Sequence, residues 1–272
     1  MKTIVITGST SGIGFLMVKE FTKKGYRVFA GYRNEDLKSK LQAISPEIIP
    51  FYIDMSKPQT ILEAAEFILE KTDKIDTLIN AAGYVVAGAM ECLSVDKIRE
   101  QFEVNTFSHL QLTQGLFAKL EGGRVINISS EASFGFFPFI APYCASKRAL
   151  DILFTSMQIE CGADIKVISI KPGVIKTPLW DKSIESNSDA LGDNKKYEKE
   201  MNFLMQNAKK NNNRGLEAQA VAEFVVKIEA LKTPKPSYTI GLDAKAVEIV
   251  SHLPQAWINF VIKKVFEQRC SN

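Results

Sequence analysis

Three side chains have the types and the spacing that proton transfer requires: Ser130, Tyr143 and Lys147. Tyr143 and Lys147 are four residues apart, so a helix over this segment would place them on one face. A phenol with a pKa of about 10 is a poor acid or base near neutral pH, and a nearby ammonium lowers that pKa. Ser130 ends an apolar run that predicts a buried strand, so its hydroxyl could face the phenol. The spacing indicates general acid–base chemistry, although a solvated lysine beside a half-buried tyrosine is the alternative.

The N-terminal segment predicts an anion-binding site. A β-branched run, residues 3–7, predicts a strand, and a glycine-rich loop leads from it into a helical pattern. Glycines let the backbone approach a pyrophosphate closely, and the N–H groups and dipole at a helix N-terminus favour its negative charge. The spacing Gly-x-x-x-Gly-x-Gly differs from the usual dinucleotide fingerprint, so glycines that only form turns stay an alternative. The predicted loop consists of Gly8, Ser9, Thr10, Gly12, Ile13 and Gly14.

With further motifs, these segments resemble the short-chain dehydrogenase/reductase family from residue 2 to about residue 177. The family's motifs occur in order as Thr7-Gly8-x-x-x-Gly12-x-Gly14, Asp54, Asn80-Ala81-Ala82-Gly83, Asn105, Ser130, Tyr143-x-x-x-Lys147 and Pro172-Gly173-x-x-x-Thr177. One departure is Ala81, where the family usually has asparagine. It puts in doubt one hydrogen bond near the cofactor ribose or the neighbouring strand.

The resemblance implies hydride transfer between nicotinamide C4 and a carbonyl carbon. Tyr143 would exchange a proton with the substrate oxygen, and Ser130 would hydrogen-bond that oxygen as charge develops. Lys147 would lower the pKa of Tyr143 and bind the nicotinamide ribose. Asn105 would hold a water in a proton relay from Lys147 to solvent. In the implied cofactor site, Gly8, Gly12 and Gly14 would bind the pyrophosphate. Asp54 would contact the adenine, and Thr177 would contact the carboxamide of the nicotinamide. Further contacts with the cofactor would come from Asn80, Ala81, Gly83, Pro172 and Gly173.

Strand and helix patterns alternate along the chain. The predicted strands cover residues 3–7, 26–32, 48–53, 76–80, 124–129 and 165–170, and the longest predicted helices cover 94–120 and 142–161. This alternation predicts an α/β fold, Rossmann-like and in a single domain (1–272), with a doubly wound parallel β-sheet and helices on both faces. Pro50 cannot donate to a central ladder, which places the third strand at the edge of a 3-2-1-4-5-6 order. Residues 56–59 predict a capping box that opens the next helix.

The end of the second predicted strand indicates the cofactor. A carboxylate there would accept hydrogen bonds from the ribose 2′-hydroxyl of NAD, but Tyr32 stands at that position and Arg33 follows it. A guanidinium can pair with a phosphate through two parallel hydrogen bonds. Glu35 and Asp36 are predicted to lie in the first turn of the next helix, where acids suit the dipole. The sequence favours NADP(H) over NAD(H), and a solvated Arg33 in an enzyme indifferent to the cofactor is the alternative.

Two segments predict the substrate pocket. Residues 133–140 contain four phenylalanines and, by the resemblance, border the substrate, with simple core packing as the alternative. The polar region 178–214 resembles the family's mobile lid, with a solvated surface insertion as the alternative. Apolar walls suit an apolar carbonyl or alcohol such as a long-chain aldehyde, steroid or retinoid. The predicted pocket residues are Val85, Phe136, Phe137 and Trp180, with Val86 beside them and Phe203 and Leu204 on the lid.

Composition limits the remaining classes of function. A chain of 272 residues with 46% hydrophobic content can bury the core of one domain. The formal charge is +3 and the basic residues are scattered, so no nucleic-acid partner is expected. The four cysteines lack metal-type spacing, so no metal is expected and a reducing cytoplasm is the predicted location. No signal peptide is expected before the first strand, and no apolar run of about 18 residues predicts a membrane span.

The C-terminal segment 254–268 predicts an amphipathic helix with Trp257, Val261 and Val265 on one apolar face. Packing onto the protein body or the lid is favoured. Pairing with a second subunit, in a homodimer or homotetramer, and lying weakly on a membrane surface stay open. Two functions other than that of an oxidoreductase also stay open: a non-catalytic NADP(H)-binding sensor or regulator, and an isomerising or dehydrating member of the same family.

Overall fold

The computed structural model of the protein describes residues 1–162, 164–177 and 195–271. Within these ranges seven strands form one parallel sheet in the order β3-β2-β1-β4-β5-β6-β9. They are β1 (Thr3–Ile6), β2 (Arg27–Tyr32), β3 (Ile48–Tyr52), β4 (Thr77–Asn80), β5 (Arg124–Ile128), β6 (Lys166–Pro172) and β9 (Ser237–Ile240). Two short strands, β7 (Ile175–Lys176) and β8 (Leu216–Glu217), pair with each other beside it.

Helices cover both faces of the sheet. They are α1 (Gly12–Lys23), α2 (Lys38–Gln42), α3 (Pro58–Lys71), α4 (Val95–Phe102), α5 (Ser108–Leu116), α6 (Ala141–Glu160), α7 (Glu198–Arg214), α8 (Ala218–Ala230), α9 (Leu242–Val250) and α10 (Gln255–Ser271). Alternate residues of a strand point to opposite faces, so Val5 packs in one core cluster with Phe154, whereas Ile4 and Ile6 pack in the other with Phe21. The central strands β1, β4 and β5 are largely apolar because both of their faces are buried.

The predicted Rossmann-like topology is confirmed. The third strand is the edge of the sheet, where Pro50 pairs with Ala30 of β2 and its missing N–H leaves no gap in a central ladder. The structure adds β9, which lies parallel to β6 and extends the sheet by one strand. This strand was missed because its four residues follow a Pro-Lys-Pro sequence, which gives little strand signal.

Two sequence predictions of local structure were wrong in detail. The predicted helix 94–120 is divided into α4, a π-helical turn at Glu103–Phe107, α5 and a 3₁₀ turn at Phe117–Lys119. Apolar periodicity does not detect a one-residue widening of a helix, and such widenings are frequent at functional sites. The capping box at residues 56–59 is also absent. Lys57 is the N-cap of α3 and Pro58 starts the helix, while Ser56 donates instead to Asp54 Oδ1 at 2.8 Å.

Candidate active site

The carboxyl ends of the central strands bring the predicted motifs to one edge of the sheet, where ligands bind in open α/β folds. The loop after β1 is tied to the loop after β4 through Thr7, whose Oγ1 accepts from the N–H groups of Ala81 and Ala82 at 3.0 and 3.1 Å. The Ala81 departure therefore leaves this connection intact, because it uses only backbone donors. The loops after β5 and β6 carry Ser130 and Gly173 to the same edge.

The Ser130 hydroxyl lies beside the phenol of Tyr143, as their types and positions predicted. Ser130 lies just beyond β5 and accepts from the N–H of Ala132 at 3.1 Å, which fixes its rotamer. Tyr143 lies in the first turn of α6 and is buried. Burial raises the pKa of Tyr143 to about 12, although the hydrogen bond from Ser130 lowers it. At neutral pH the phenol is therefore protonated and can act as a donor.

Lys147 is buried one turn after Tyr143, and its Nζ donates to the main-chain oxygen of Ile128 at 2.9 Å. Burial lowers the pKa of Lys147 to about 8, and the carboxylate of Asp151 opposes that shift. The expectation that Lys147 pulls the pKa of Tyr143 downward is not met in this structure, where burial dominates that pKa. The reason is that the ammonium is directed toward the end of β5.

Asn105 occupies the π-helical turn and is fully buried. Its Nδ2 donates to the main-chain oxygen of Tyr84 and to Ser146 Oγ, both at 3.0 Å. Its Oδ1 accepts from the main-chain N–H of Tyr84 at 3.1 Å. The side-chain amide thus holds the loop after β4 against α6. The relay role predicted for Asn105 stays a prediction, and these contacts show that its side chain positions the loop.

Gly83 occupies the narrow space between two of the predicted catalytic residues. A Cβ atom at Gly83 would lie 3.2 Å from Asn105 Oδ1 and 3.4 Å from Lys147 Nζ. The same loop is held by Gln101, which accepts from the Val86 N–H at 3.1 Å and donates to the Tyr84 oxygen at 2.6 Å. Gln101 was missed because a buried glutamine on an otherwise polar helix gives no distinctive sequence signal.

The loop after β1 fits a dinucleotide pyrophosphate. Gly8 has a φ of 66°, and a Cβ there would lie 2.9 Å from the backbone of Ala82. A Cβ at Gly14 would collide with the Gly8 carbonyl, so the helix starts directly against the loop. Ser11 is the N-cap of α1 but its side chain makes no capping hydrogen bond, and the first turn contains no acid. The free N–H groups and the partial positive charge at this uncapped helix N-terminus favour the binding of an anion.

The turn after β6 faces the same loop. A Cβ at Gly12 would lie 3.6 Å from Thr177 Cγ2, which places Thr177 opposite the glycine loop. Gly173 donates to the Ile240 oxygen at 2.9 Å, and Asp243 Oδ2 accepts from the Val174 N–H at 2.8 Å. Pro172 is the last residue of β6. Asp243 was missed by sequence reasoning because its partner lies 69 residues away along the chain.

Three of the predicted cofactor residues have local partners. Asn80 is fully buried and donates to Asn127 Oδ1 at 2.8 Å, which joins β4 to β5. Asp54 accepts from the N–H and the hydroxyl of Ser56 at 3.1 and 2.8 Å. Ser9 donates to the Ile6 oxygen at 2.8 Å. These bonds shape the edge of the crevice, and the contacts of all three residues with a cofactor stay predictions.

A carboxylate of the next turn, that of Glu35, contacts the end of β2. The Tyr32 hydroxyl donates to Glu35 Oε1 at 2.9 Å, and Lys38 Nζ lies 3.6 Å from Glu35 Oε2. Asn34 caps the 3₁₀ turn Glu35–Leu37, which turns Glu35 back toward the strand. Glu35 lies in the first turn after β2, as predicted, and its carboxylate accepts the hydrogen bond of the Tyr32 hydroxyl. Arg33 is exposed.

One side of Tyr143 is apolar. Val85 is fully buried in a small cluster with Tyr143 and Cys144, and Phe137 packs against this cluster. Phe136 is 37% exposed and lies outside the cluster. Trp180 and the part of the proposed lid before residue 195 lie outside the described residues.

An aromatic cluster joins the loop of residues 133–140 to the C-terminal helix and to the region predicted as a lid. Phe139 lies 5.4 Å from Phe266 of α10 and 5.7 Å from Tyr197, measured between ring centroids. Phe203 of α7 lies 6.2 Å from Phe266 in an edge-on arrangement. Phe266 and the buried Ile258 of α10 therefore pack inward, whereas Val261, predicted on the packed face, is 39% exposed. Trp257, expected on the packed face, is 65% exposed instead.

Glu131, directly after Ser130, is a titratable group that the sequence analysis missed. Burial raises the pKa of Glu131 to about 7, and the carboxylate of Asp243 raises it further. No hydrogen-bond partner contacts its Oε2 among the described residues. Within the same residues, no group of histidine, cysteine, aspartate and glutamate side chains could hold a metal ion. The described helices also include none that is long and apolar enough to cross a membrane.

Comparison with known proteins adds an independent finding. The model of the short chain dehydrogenase family matches residues 2–188. The chain is 29% identical over 266 residues to VdlC, a probable short-chain type dehydrogenase/reductase of Helicobacter pylori, covering 96% of each protein. It is 31% identical over 194 residues to the NADPH-dependent 3-dehydrocapnine reductase of Ornithobacterium rhinotracheale, covering 67% of this chain and 69% of the relative. A short-chain dehydrogenase/reductase from Burkholderia phymatum, solved in complex with NAD, matches with a TM-score of 0.79 at 20% identity, covering 95% and 94% of the two chains.

Proposed function

Because the chain belongs to the short-chain dehydrogenase/reductase family of NAD(P)-binding oxidoreductases, we propose that it reduces an apolar carbonyl compound with NADPH, or oxidises the corresponding alcohol. The observation that carries the proposal is that Ser130 lies beside a buried, protonated Tyr143, with Lys147 buried one turn further along α6. This arrangement offers two hydrogen-bond donors to a single substrate oxygen.

The proton chemistry follows from the state of these groups. In reduction, Tyr143 donates its proton to the substrate oxygen, and its high pKa makes the phenol available over the whole neutral range. Ser130 stabilises the negative charge that develops on that oxygen. Lys147 supplies a positive charge beside the site at pH values below about 8, where it is protonated. In oxidation the same groups act in reverse.

The residues that would hold the dinucleotide are those of the glycine loop and the turn opposite it. Gly8 and Gly14 leave room for the pyrophosphate, the α1 N-terminus attracts its charge, and Thr177 faces it from the β6 turn. When bound, the nicotinamide supplies or accepts the hydride. The buried Val85 cluster excludes water beside Tyr143, which strengthens each electrostatic contact there.

The preference for NADPH rests on the positive charges at the end of β2. Arg33 is exposed and follows Tyr32, and the Lys38 ammonium lies 5.5 Å from the Tyr32 ring centroid. Both could approach a 2′-phosphate. Glu35 counts against the preference, although Lys38 offsets its charge. The Ornithobacterium relative is named as NADPH-dependent, whereas the Burkholderia structure contains NAD.

The preference for apolar substrates rests on the walls near Tyr143. Val85 and Phe137 line its surroundings, and the aromatic cluster of Phe139, Tyr197, Phe203 and Phe266 lies along the same loop. We propose that region 178–214 is a lid that includes α7, because α7 reaches the substrate loop through this cluster. Long-chain aldehydes, steroids and retinoids are the classes of compound that suit such walls.

A substrate screen tests the proposal directly. The purified protein is incubated with NADPH and a panel of short aldehydes, fatty aldehydes, steroid ketones and retinaldehyde, and the absorbance of the reduced nicotinamide is followed. We expect turnover with at least one apolar carbonyl and weaker turnover with short aldehydes. Cofactor binding without turnover on any compound, in either direction, would favour the sensor instead. Product formation without net loss of NADPH would favour an isomerase or dehydratase.

A further inference from the structure

We propose that the buried Asp151–Lys171 ion pair is a positioning device for the active site, in which Asp151 holds Lys147 in its charged, catalytically useful form. This inference depends on the proposed oxidoreductase function in one respect: it assumes that the charge of Lys147 contributes to turnover. Neither Asp151 nor Lys171 touches the reacting groups in this proposal. Both act through Lys147 and through the loops that carry Ser130 and Gly173.

The two charges are taken out of water together. Asp151 is 5% exposed and Lys171 is 8% exposed, and Lys171 Nζ lies 3.1 Å from Asp151 Oδ2. In the part of the chain that the structure describes, neither carboxylate oxygen of Asp151 makes a hydrogen bond, so the contact with Lys171 is one between charges. A buried ion pair is often no more stabilising than apolar side chains of similar size. A purely structural role therefore explains poorly why two charges stand here.

The pair connects three elements that carry site residues. Asp151 follows Lys147 by four residues on α6, so the two side chains share one face of the helix. Lys171 lies on β6, two residues before Gly173. Its Nζ also lies 4.4 Å from the ring centroid of Phe134, in the short turn that begins after Ser130. Helix α6, strand β6 and the turn that follows Ser130 therefore all contact this one ion pair.

The electrostatic effect on Lys147 has a definite sign. Burial disfavours the ammonium, and the negative charge of Asp151 one turn away favours it. His109 faces Lys147 from α5, and burial lowers the pKa of His109 to about 3, so it is neutral. Tyr143 is protonated, and Glu131, near Tyr143, is partly charged at neutral pH. Asp151 is therefore the main fixed negative charge acting on Lys147, and Lys171 weakens its effect.

The two charges should have opposite effects when each is removed alone. Asp151→Asn takes away the negative charge, so Lys147 should lose its proton at lower pH. Lys171→Gln leaves the negative charge uncompensated, so the pKa of Lys147 should rise or stay unchanged. A structural contact would respond in the same way to the loss of either partner, because each variant leaves the other charge buried and unpaired.

The test is the pH profile of kcat/KM for NADPH-dependent reduction, measured for the unmodified enzyme and for both variants. We expect the alkaline limb of Asp151→Asn to move to lower pH by about one unit, a tenfold change in the ionisation constant. Lys171→Gln should not move it downward. Asp151→Glu should restore the original limb, and Asp96→Asn, which removes an exposed ion pair with Arg99, should leave it unchanged.

A second measurement separates this inference from the proposed function. Isotope-labelled lysine NMR gives the ionisation of Lys147 directly, with its signal assigned by its loss in Lys147→Met. If the enzyme turns over none of the substrates offered, this titration still reports the effect of Asp151. Downward shifts of equal size in both single variants, or no shift in Asp151→Asn despite a native fold, would overturn the proposal. If Asp151→Asn does not fold, Asp151→Leu combined with Lys171→Met replaces it and should show a smaller downward shift, because it also removes the positive charge of Lys171.

Discussion

The ring of Phe139 stacks on the ring of Phe266, with centroids 5.4 Å apart and planes tilted by 20°. Phe139 belongs to the loop between Ser130 and Tyr143, and it adopts a φ of 67°, which is unusual for a residue with a side chain. Phe266 lies near the end of the chain, on α10. The contact therefore links the C-terminal helix to the shape of the proposed substrate pocket.

Phe266→Ala should weaken activity toward apolar substrates without unfolding the protein. An aromatic pair contributes about 0.5–1.5 kcal/mol beyond area burial, so kcat/KM for the best apolar substrate should fall roughly threefold to tenfold. NADPH affinity should not change. Phe260→Ala is the matched control, because that ring lies on the same helix but is 62% exposed. Equal kinetics for the two variants would show that the contact with Phe139 is irrelevant to the pocket.

Tyr143→Phe should reduce turnover by a factor of about 10²–10⁴, the usual value of general acid catalysis. The fold and the dissociation constant for NADPH should stay nearly the same, because the ring and its apolar neighbours are retained. Steady-state kinetics and a fluorescence titration of NADPH measure the two effects. Tyr52→Phe, on the exposed side of the edge strand, serves as control. Retention of more than about a tenth of the activity would rule out Tyr143 as the proton donor.

Arg33→Ala should remove most of the preference for NADPH. We expect the unmodified enzyme to bind NADPH at least about tenfold more tightly than NADH, a difference of ~1.4 kcal/mol. The variant should lose that difference while NADH affinity stays the same, since the guanidinium would contact only the 2′-phosphate. Arg99→Ala, at an exposed position on α4, controls for the loss of a surface charge. Equal dissociation constants in the unmodified enzyme would refute the preference.

Glu35→Gln tests the carboxylate that the Tyr32 hydroxyl holds near the same position. Removal of its negative charge should strengthen NADPH binding and should not strengthen NADH binding, because only the 2′-phosphate is repelled by it. The same fluorescence titration measures this effect. Stronger binding of both cofactors would mean that Glu35 acts on the dinucleotide as a whole.

The stability of the protein should depend on pH through Glu131. Its carboxyl has an ordinary pKa of 4.5 when unfolded and about 7 when folded, so the folded state holds a proton that the unfolded state has lost between these values. The free energy of unfolding should therefore decrease as pH rises from about 4.5 to about 7. Glu131→Gln should remove this decrease, whereas Glu47→Gln, at an exposed position, should not. Urea denaturation at several pH values measures the effect, and identical pH slopes for the two variants would contradict it.

The amino-acid sequence by itself determined the architecture of the sheet and which motifs lie at its edge. Apolar runs separated by helical patterns indicate a parallel sheet, because strands that are buried on both faces have nearly continuous apolar sequences. Pro50 placed the edge strand, and the spacing of Tyr143 and Lys147 placed both on one helix face. These are local properties, since they depend on the backbone geometry of a single segment.

The tertiary structure alone decided which groups become partners. Lys147 bonds to Ile128 and not to the phenol, Glu35 is held by Tyr32, and Asp151 meets Lys171 from another element. Each pairing depends on how helices and loops pack on the sheet, and packing also sets the burial that raises or lowers each pKa. The spacing of residues along the chain records neither distance across the fold nor exclusion of water, so these contacts could be found only in three dimensions.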